Sequence, residues 1–370
     1  MSVPTRKTLA AEKHIERAIK ELPFYVHEFV RAKKLAKASP MTISGYLYDY
    51  IKFFDWLRTE GLANAESNKD IPYSVLESLS KKDAEYFIEM LMDEKVEKRK
   101  GLFEKRSEAS VNRFIQSLKS LFNYLTTESE NDQGECYFDR NVFAKIKTPK
   151  KSESTARRAK RISSQTLEKD EIAEFIDFVK YEYEKNITPH QLGRFRLNKQ
   201  RDVAIISLFL GSGIRVNEMA GLQITDIDAI KEDINVLRKG SQKDTVSITP
   251  SSLEDLLEYL KVRDDIYKPD SSNQFVFLTK YAGKANPIGT ETIQKLVNKY
   301  SQAFLNGRRL KPHLLRHSFG KRWIDEGGSL VGLRDQLGHS TIETTVLYTN
   351  LSQEEQRKIL RKMDKRNSSK

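Results

Sequence analysis

Residues 311–350 read KPHLLRHSFGKRWIDEGGSLVGLRDQLGHSTIETTVLYTN. Within them lie His313, Arg316, His317, His339 and Tyr348. His313 and Arg316 are three apart and therefore share one helix face. His313 and His317 are four apart, a spacing that also suits zinc. No acidic neighbour like that of HExxH accompanies them, so no metal site is expected. Two upstream cations, Arg215 and Lys239, make sense only when read together with this stretch.

The chain has 370 residues, which suits two domains, each large enough for its own core. A formal net charge of +12 points to a polyanionic partner or a well-solvated basic surface. Hydrophobic content of 38% with 18 Phe fits a folded globular protein. Cys136 is the only cysteine, which excludes an intrachain disulfide and a cysteine-based metal site. The N-terminus carries no signal-peptide pattern and the chain no run of about 18 apolar residues, so a cytoplasmic location without a membrane partner is expected.

Residues 1–148 read as a helical domain. MTISGYLYDYIKFFDWL sets Tyr46, Tyr50, Phe53, Phe54 and Leu57 at helical spacing, with Ser39 and Pro40 as its start. KKDAEYFIEMLMDEK follows Ser80 as a candidate cap. SVNRFIQSLKSLFNYL lines up Val111, Phe114, Ile115, Leu118, Leu121, Phe122 and Leu125. No strand alternation competes in this region. The aromatic stripes read as core. Lys52, Arg113 and Lys119 on the polar faces read first as solvated residues and second as phosphate contacts.

From 141 to 165 the character changes. KIKTPKKSESTARRAKRISSQ has few apolar residues and eight basic ones between Lys145 and Arg161. It reads as an interdomain linker, with its basic core at 149–165, able to lie along a phosphate backbone. A second domain, 166–370, opens with Thr166 as candidate cap and Glu168, Asp170 and Glu171 in the first turn. DVAIISLFLGSGI reads as a buried helix ending near Gly211 and Gly213, and RVNEMAGL as a short helix starting at Arg215. INVLRKG and DTVSITP flank Gly240–Lys243 as a β-hairpin, and FVFLT as a short edge strand. The remainder reads as helix. The fold class is mostly α with a small β-sheet.

Four phrases in order, GSGIRVNEMAGL, RKGSQKD, HLLRH and LGHSTIETTVLY, resemble the boxes of the tyrosine site-specific recombinase family, which includes phage integrases and Xer recombinases. The likeness spans 166–350 strongly. It implies a two-domain architecture, a helical core-binding domain followed by a mixed α/β catalytic domain. It also implies metal-free and cofactor-free cleavage of DNA, in which a tyrosine attacks the scissile phosphate to give a 3′-phosphotyrosyl bond. Without a metal, cationic side chains must meet the charge on the non-bridging oxygens, and arginine's planar pair of donors suits it. A base for the tyrosine and an acid for the leaving oxygen complete the set.

By the resemblance, the catalytic residues are Arg215, Lys239, His313, Arg316, His339 and Tyr348. Tyr348 is the nucleophile, Lys239 the acid toward the 5′ oxygen and His313 the base, while His339 hydrogen-bonds the phosphate. Glu218, one turn beyond Arg215, is placed to orient that guanidinium. The family more often has Ser or Thr where this chain has Asn217. Each part alone has an ordinary reading: Arg215 as a surface ion pair, Lys239 as a turn residue, Tyr348 as core.

ELPFYVHEFVRAKKLAKASPMTISGYLYDYIKFFDWLRTEGL is similar to the single-recombinase XerS branch. That implies resolution of chromosome dimers at a dif-type site, a homotetramer on two double-stranded DNA sites and activation by the FtsK translocase. It also implies a C-terminal helix, near 353–363, exchanged between subunits. Three alternatives stay open at this point. They are an integrase or transposase of a mobile element, a non-catalytic architectural DNA-binding protein and a type IB topoisomerase.

Overall fold

The computed structural model describes residues 6–99, 101–147, 155–238, 242–339, 345 and 361. The chain forms two compact units, Met1–Ser152 and Glu153–Lys370.

The first unit carries helices α1 (Arg6–Ala18), α2 (Phe24–Leu35), α3 (Pro40–Thr59), α4 (Tyr73–Ser78), α5 (Lys81–Asp93) and α6 (Glu108–Thr127). As expected, Ser39 caps α3 by accepting the Thr42 N–H at 3.2 Å, with Pro40 in the first turn. Ser80 and Asp83 form a reciprocal capping box on α5. Tyr50, Phe53, Phe54 and Leu57 of α3 are buried with Phe114, Leu118, Leu121 and Phe122 of α6 in one core. Each such side chain contributes roughly 1.5–3 kcal/mol by leaving water.

Lys52, Arg113 and Lys119 all serve the fold. Lys52 pairs with Glu94 at 2.6 Å, Lys119 donates to the Ile146 carbonyl at 2.9 Å, and Arg113 pairs with buried Asp49 at 2.7 Å. Burial pushes the Asp49 carboxyl up to about 6 against the pull of Arg113.

One element departs from the sequence reading. A hairpin, β1 (Lys95–Arg99) with β2 (Leu102–Lys105), stands between α5 and α6, pairing Lys95 with Lys105 and Glu97 with Phe103. Its apolar residues Leu102 and Phe103 are exposed, so no buried face writes an alternating pattern into the sequence.

The second unit runs α7 (Thr155–Ser163), α8 (Lys169–Asp177), α9 (Pro189–Ser212), α10 (Val216–Gly221), β3 (Ile227–Asp228), β4 (Asp233–Leu237), β5 (Lys243–Ser247), α11 (Pro250–Tyr267), β6 (Leu278–Tyr281), β7 (Lys284–Pro287), α12 (Thr290–Phe304), α13 (Pro312–Asp325) and α14 (Leu330–Leu337). β3, β4 and β5 form an antiparallel sheet in that order, and β6–β7 a separate hairpin. The expected hairpin is thus β4–β5, with Leu237 facing Lys243 at its tip end.

α9 is the central post, buried from Arg201 to Ser212 and packed against α11 and α13. It starts well before the apolar run, because 189–200 is polar and buries only Phe195. It ends at Gly213, whose left-handed φ of +69° closes the helix.

The stretch expected as linker is folded at both ends. Val142–Lys145 forms a 3₁₀ turn that buries Val142 and Phe143 in the first unit's core. α7 buries Ala159 and Ile162 and touches α13. The cap of α8 is Glu168, in a reciprocal box with Glu171, rather than Thr166. Thr166 instead donates its hydroxyl to the Ser163 carbonyl at 2.8 Å, closing α7.

Candidate active site

The C-terminal end of α14 is the meeting point. A helix leaves its last carbonyls without intrahelical partners and carries a partial negative charge there. Arginines from three other elements satisfy those of Gln336, Leu337 and Gly338.

Arg316, on α13, is only 1% exposed. Its Nη1 donates to the Gly213 carbonyl at 2.6 Å and its Nη2 to the Leu337 carbonyl. One guanidinium therefore ties the end of α9 to the end of α14. Arg215 is the residue preceding α10. Its Nη2 donates to the Gly338 carbonyl at 2.8 Å and its Nη1 to Glu218 Oε1 at 2.9 Å, while its backbone N–H donates to Glu218 Oε2 at 2.7 Å. The i, i+3 spacing of Arg215 and Glu218 foretells that pair. Unlike Arg316, the Arg215 side chain remains 39% exposed.

Arg238 is the residue that sequence reasoning passes over. It follows β4 and directly precedes Lys239. Its Nη1 donates to both Glu218 oxygens at 3.1 Å and to the Leu337 carbonyl at 3.2 Å, its Nη2 to the Gln336 carbonyl at 2.9 Å and its Nε to Asp244 at 3.0 Å. Gly338 permits this. Its φ is +59°, and a Cβ there would sit 2.6 Å from the Arg238 guanidinium carbon.

Three imidazoles complete the cluster. His313 and His317, on α13, meet edge to face with ring centroids 4.2 Å apart. His339 follows Gly338, and its Nδ1 lies 3.1 Å from the Thr345 hydroxyl. Crowding by the protein, and then the positive charges of Arg316, Arg215 and Arg158, hold His313 below the ordinary imidazole value although its edge stays exposed. Burial, then neighbouring His313 and Arg316, take His317 down to about 3. Burial, then Arg316 and Arg215, take His339 down to about 4. All three rings are therefore neutral at pH 7. Arg158 comes from α7, inside the stretch that composition alone marks as linker.

The structure thus brings together Arg215, His313, Arg316 and His339. Lys239 and Tyr348 lie outside the described residues, as does the expected C-terminal exchange helix. What the described cluster offers is a cationic surface lined by neutral imidazoles, suited to an anion that undergoes proton transfer.

The chain also resembles known proteins. The model of the phage integrase family matches residues 165–355. The tyrosine recombinase XerS of Streptococcus gordonii is 38% identical over 358 residues, covering 97% of this chain and 100% of that protein. XerS of Streptococcus uberis is 39% identical over the same length and coverage. Among solved structures, the XerH site-specific recombinase bound to palindromic difH substrate in a post-cleavage complex superposes with a TM-score of 0.62 at 18% identity, over 94% of this chain and 88% of that one. At that identity the superposition speaks for the fold.

Proposed function

This chain belongs to the phage integrase family and is a tyrosine recombinase, and from that premise we propose that it cuts and rejoins DNA at dif-type sites to resolve chromosome dimers. The observation that carries the chemistry is the gathering of Arg215, Arg316, His313 and His339 around the end of α14.

The Tyr348 oxygen attacks phosphorus in line. A P–O bond to tyrosine forms, the P–O5′ bond breaks, and the 5′ oxygen takes a proton from Lys239. His313, neutral at pH 7, accepts the phenolic proton. Arg215 and Arg316 meet the charge that grows on the non-bridging oxygens. Their carbonyl and carboxylate contacts fix both guanidiniums in advance, so little reorganisation opposes the transition state. When Nδ1 of His339 accepts from Thr345, the proton sits on Nε2, which then donates to the phosphate. Rejoining runs the same steps backward with a 5′-hydroxyl from the partner strand.

The same reading assigns the helical first unit to core DNA binding and the second to catalysis. It extends to a homotetramer on two sites, subunits linked through the chain after Leu351, and to activation by FtsK. Those last assignments rest on the family resemblance.

The test is a supercoiled plasmid with two directly repeated dif-type sites from the host chromosome. The account expects two product circles, and no change in a plasmid without the sites. Relaxation of site-free DNA without recombination would instead mark a topoisomerase.

A further inference from the structure

Glu218 is almost fully buried, with its side chain 3% exposed, and it faces two guanidiniums. Alone with Arg215, that carboxylate would form a closed one-to-one pair and draw the positive charge inward, away from a phosphate. Arg238 occupies the other side of the same carboxylate, bonded to both oxygens at 3.1 Å. It also bonds Asp244 and the carbonyls of Gln336 and Leu337. All three guanidinium nitrogens of Arg238 are already bonded to protein groups, so it holds protein rather than meeting substrate. The two acceptors that hold Arg215 are Glu218 Oε1 and the Gly338 carbonyl. Arg238 grips the first directly, and fastens the second through the two carbonyls just before it.

We propose that Arg238 is a positioning residue that presents Arg215 to the scissile phosphate, by sharing the charge of Glu218 and locking the end of α14. The proposal rests on the reading of Arg215 as the group that meets the non-bridging oxygens. It separates Arg238 from its sequence neighbour Lys239, whose assigned role is on the leaving oxygen. Arg238→Lys keeps a cation beside Glu218 but loses the fork that reaches two carbonyls and a carboxylate at once.

The experiment uses the full chain and a suicide DNA substrate, with covalent adduct formation as the readout. Three scissile linkages are compared: the natural phosphodiester, a methylphosphonate lacking one charged non-bridging oxygen, and a 5′-bridging sulfur. Arg238→Lys should bind DNA as the wild type does and form adduct roughly ten- to a hundredfold more slowly on the phosphodiester, the size of effect that small misplacement of a catalytic group produces. On the methylphosphonate, which has no full charge to neutralise, the gap to wild type should shrink to a few-fold. On the sulfur substrate it should persist.

Arg215→Ala, run alongside, tests the underlying reading: if its own defect is not relieved on the methylphosphonate, that reading fails and takes the proposal with it. If Arg215→Ala is relieved and Arg238→Lys is not, or if Arg238→Lys is as fast as wild type, the proposal alone is overturned. Relief on sulfur would place Arg238 with Lys239 and overturn it equally. Should thermal unfolding show that Arg238→Lys does not fold, Asp244→Asn loosens only the Nε bond on a half-exposed partner, and the same three-substrate pattern at smaller amplitude is required of it.

Discussion

Replacing Gly213 by alanine tests how the fold sets the catalytic geometry. Gly213 closes α9 with a φ of +69°, a conformation that costs an L-residue about 1–2 kcal/mol. The new Cβ would stand 2.5 Å from Phe319 Cδ1 and 2.7 Å from Leu337 Cδ2. Phe319 and Leu337 are buried together in a small cluster with Leu333, so neither moves freely, and overpacking of this kind costs about 1–3 kcal/mol. The two effects sum to about 2–5 kcal/mol off the second unit. The assay is urea unfolding followed by Trp323 fluorescence in a Trp56→Phe background, since the chain has only those 2 tryptophans. The same shift moves the Gly213 carbonyl that receives Arg316 at 2.6 Å, so adduct formation should fall at a temperature where the variant is still folded. A loss below about 1 kcal/mol, with an unchanged adduct rate, would refute the claim that this turn is sterically fixed and sets Arg316.

Two further outcomes follow from buried charge. His317 stays neutral down to about pH 3 when folded, against an ordinary value of 6.5. The unfolded state therefore binds more protons between those values. Stability is full above pH 6.5 and falls as pH drops, by about 2 kcal/mol from this ring at pH 5. His317→Gln should lose correspondingly less between pH 7 and 5 in urea titrations, and an equal loss would contradict the assignment. In the first unit, Arg113→Ala strands the Asp49 carboxylate and should cost about 2–3 kcal/mol at pH 7, less than for a fully buried pair because Arg113 is half exposed. Asp49 has its folded value raised to about 6 even with Arg113 in place, and removing Arg113 raises it further, so the Arg113→Ala defect from the stranded charge should ease as pH falls toward 6 and be gone below it. Adding Asp49→Asn should recover part of the loss at pH 7; no recovery would mean that Arg113 acts by packing alone.

The helical plan was legible because buried stripes repeat at helical spacing, as in Phe53–Leu57 and Leu118–Phe122, and because Ser39 and Ser80 are strong caps. Arg215, His313, Arg316 and His339 were legible because local spacing and box order mark them. Arg238 was not: its partners Gln336 and Leu337 lie about a hundred positions away, and no local pattern encodes a lateral contact from a strand end to a helix end. α7 was hidden by its charge, since its buried face amounts to Ala159 and Ile162. β1–β2 was hidden for the opposite reason, having apolar residues but no buried face. Thr166 lost the cap of α8 to Glu168 because its hydroxyl had already closed the preceding helix.

The central claim is that Tyr348 carries the DNA during exchange. Trapping the covalent complex on a suicide dif-type substrate, digesting both components and sequencing the nucleotide-bearing peptide by mass spectrometry tests it directly. The account predicts a 3′-phosphate ester on Tyr348 and no adduct from Tyr348→Phe, which should still bind the site. An ester on any other residue, or a covalent adduct formed by Tyr348→Phe, would contradict it.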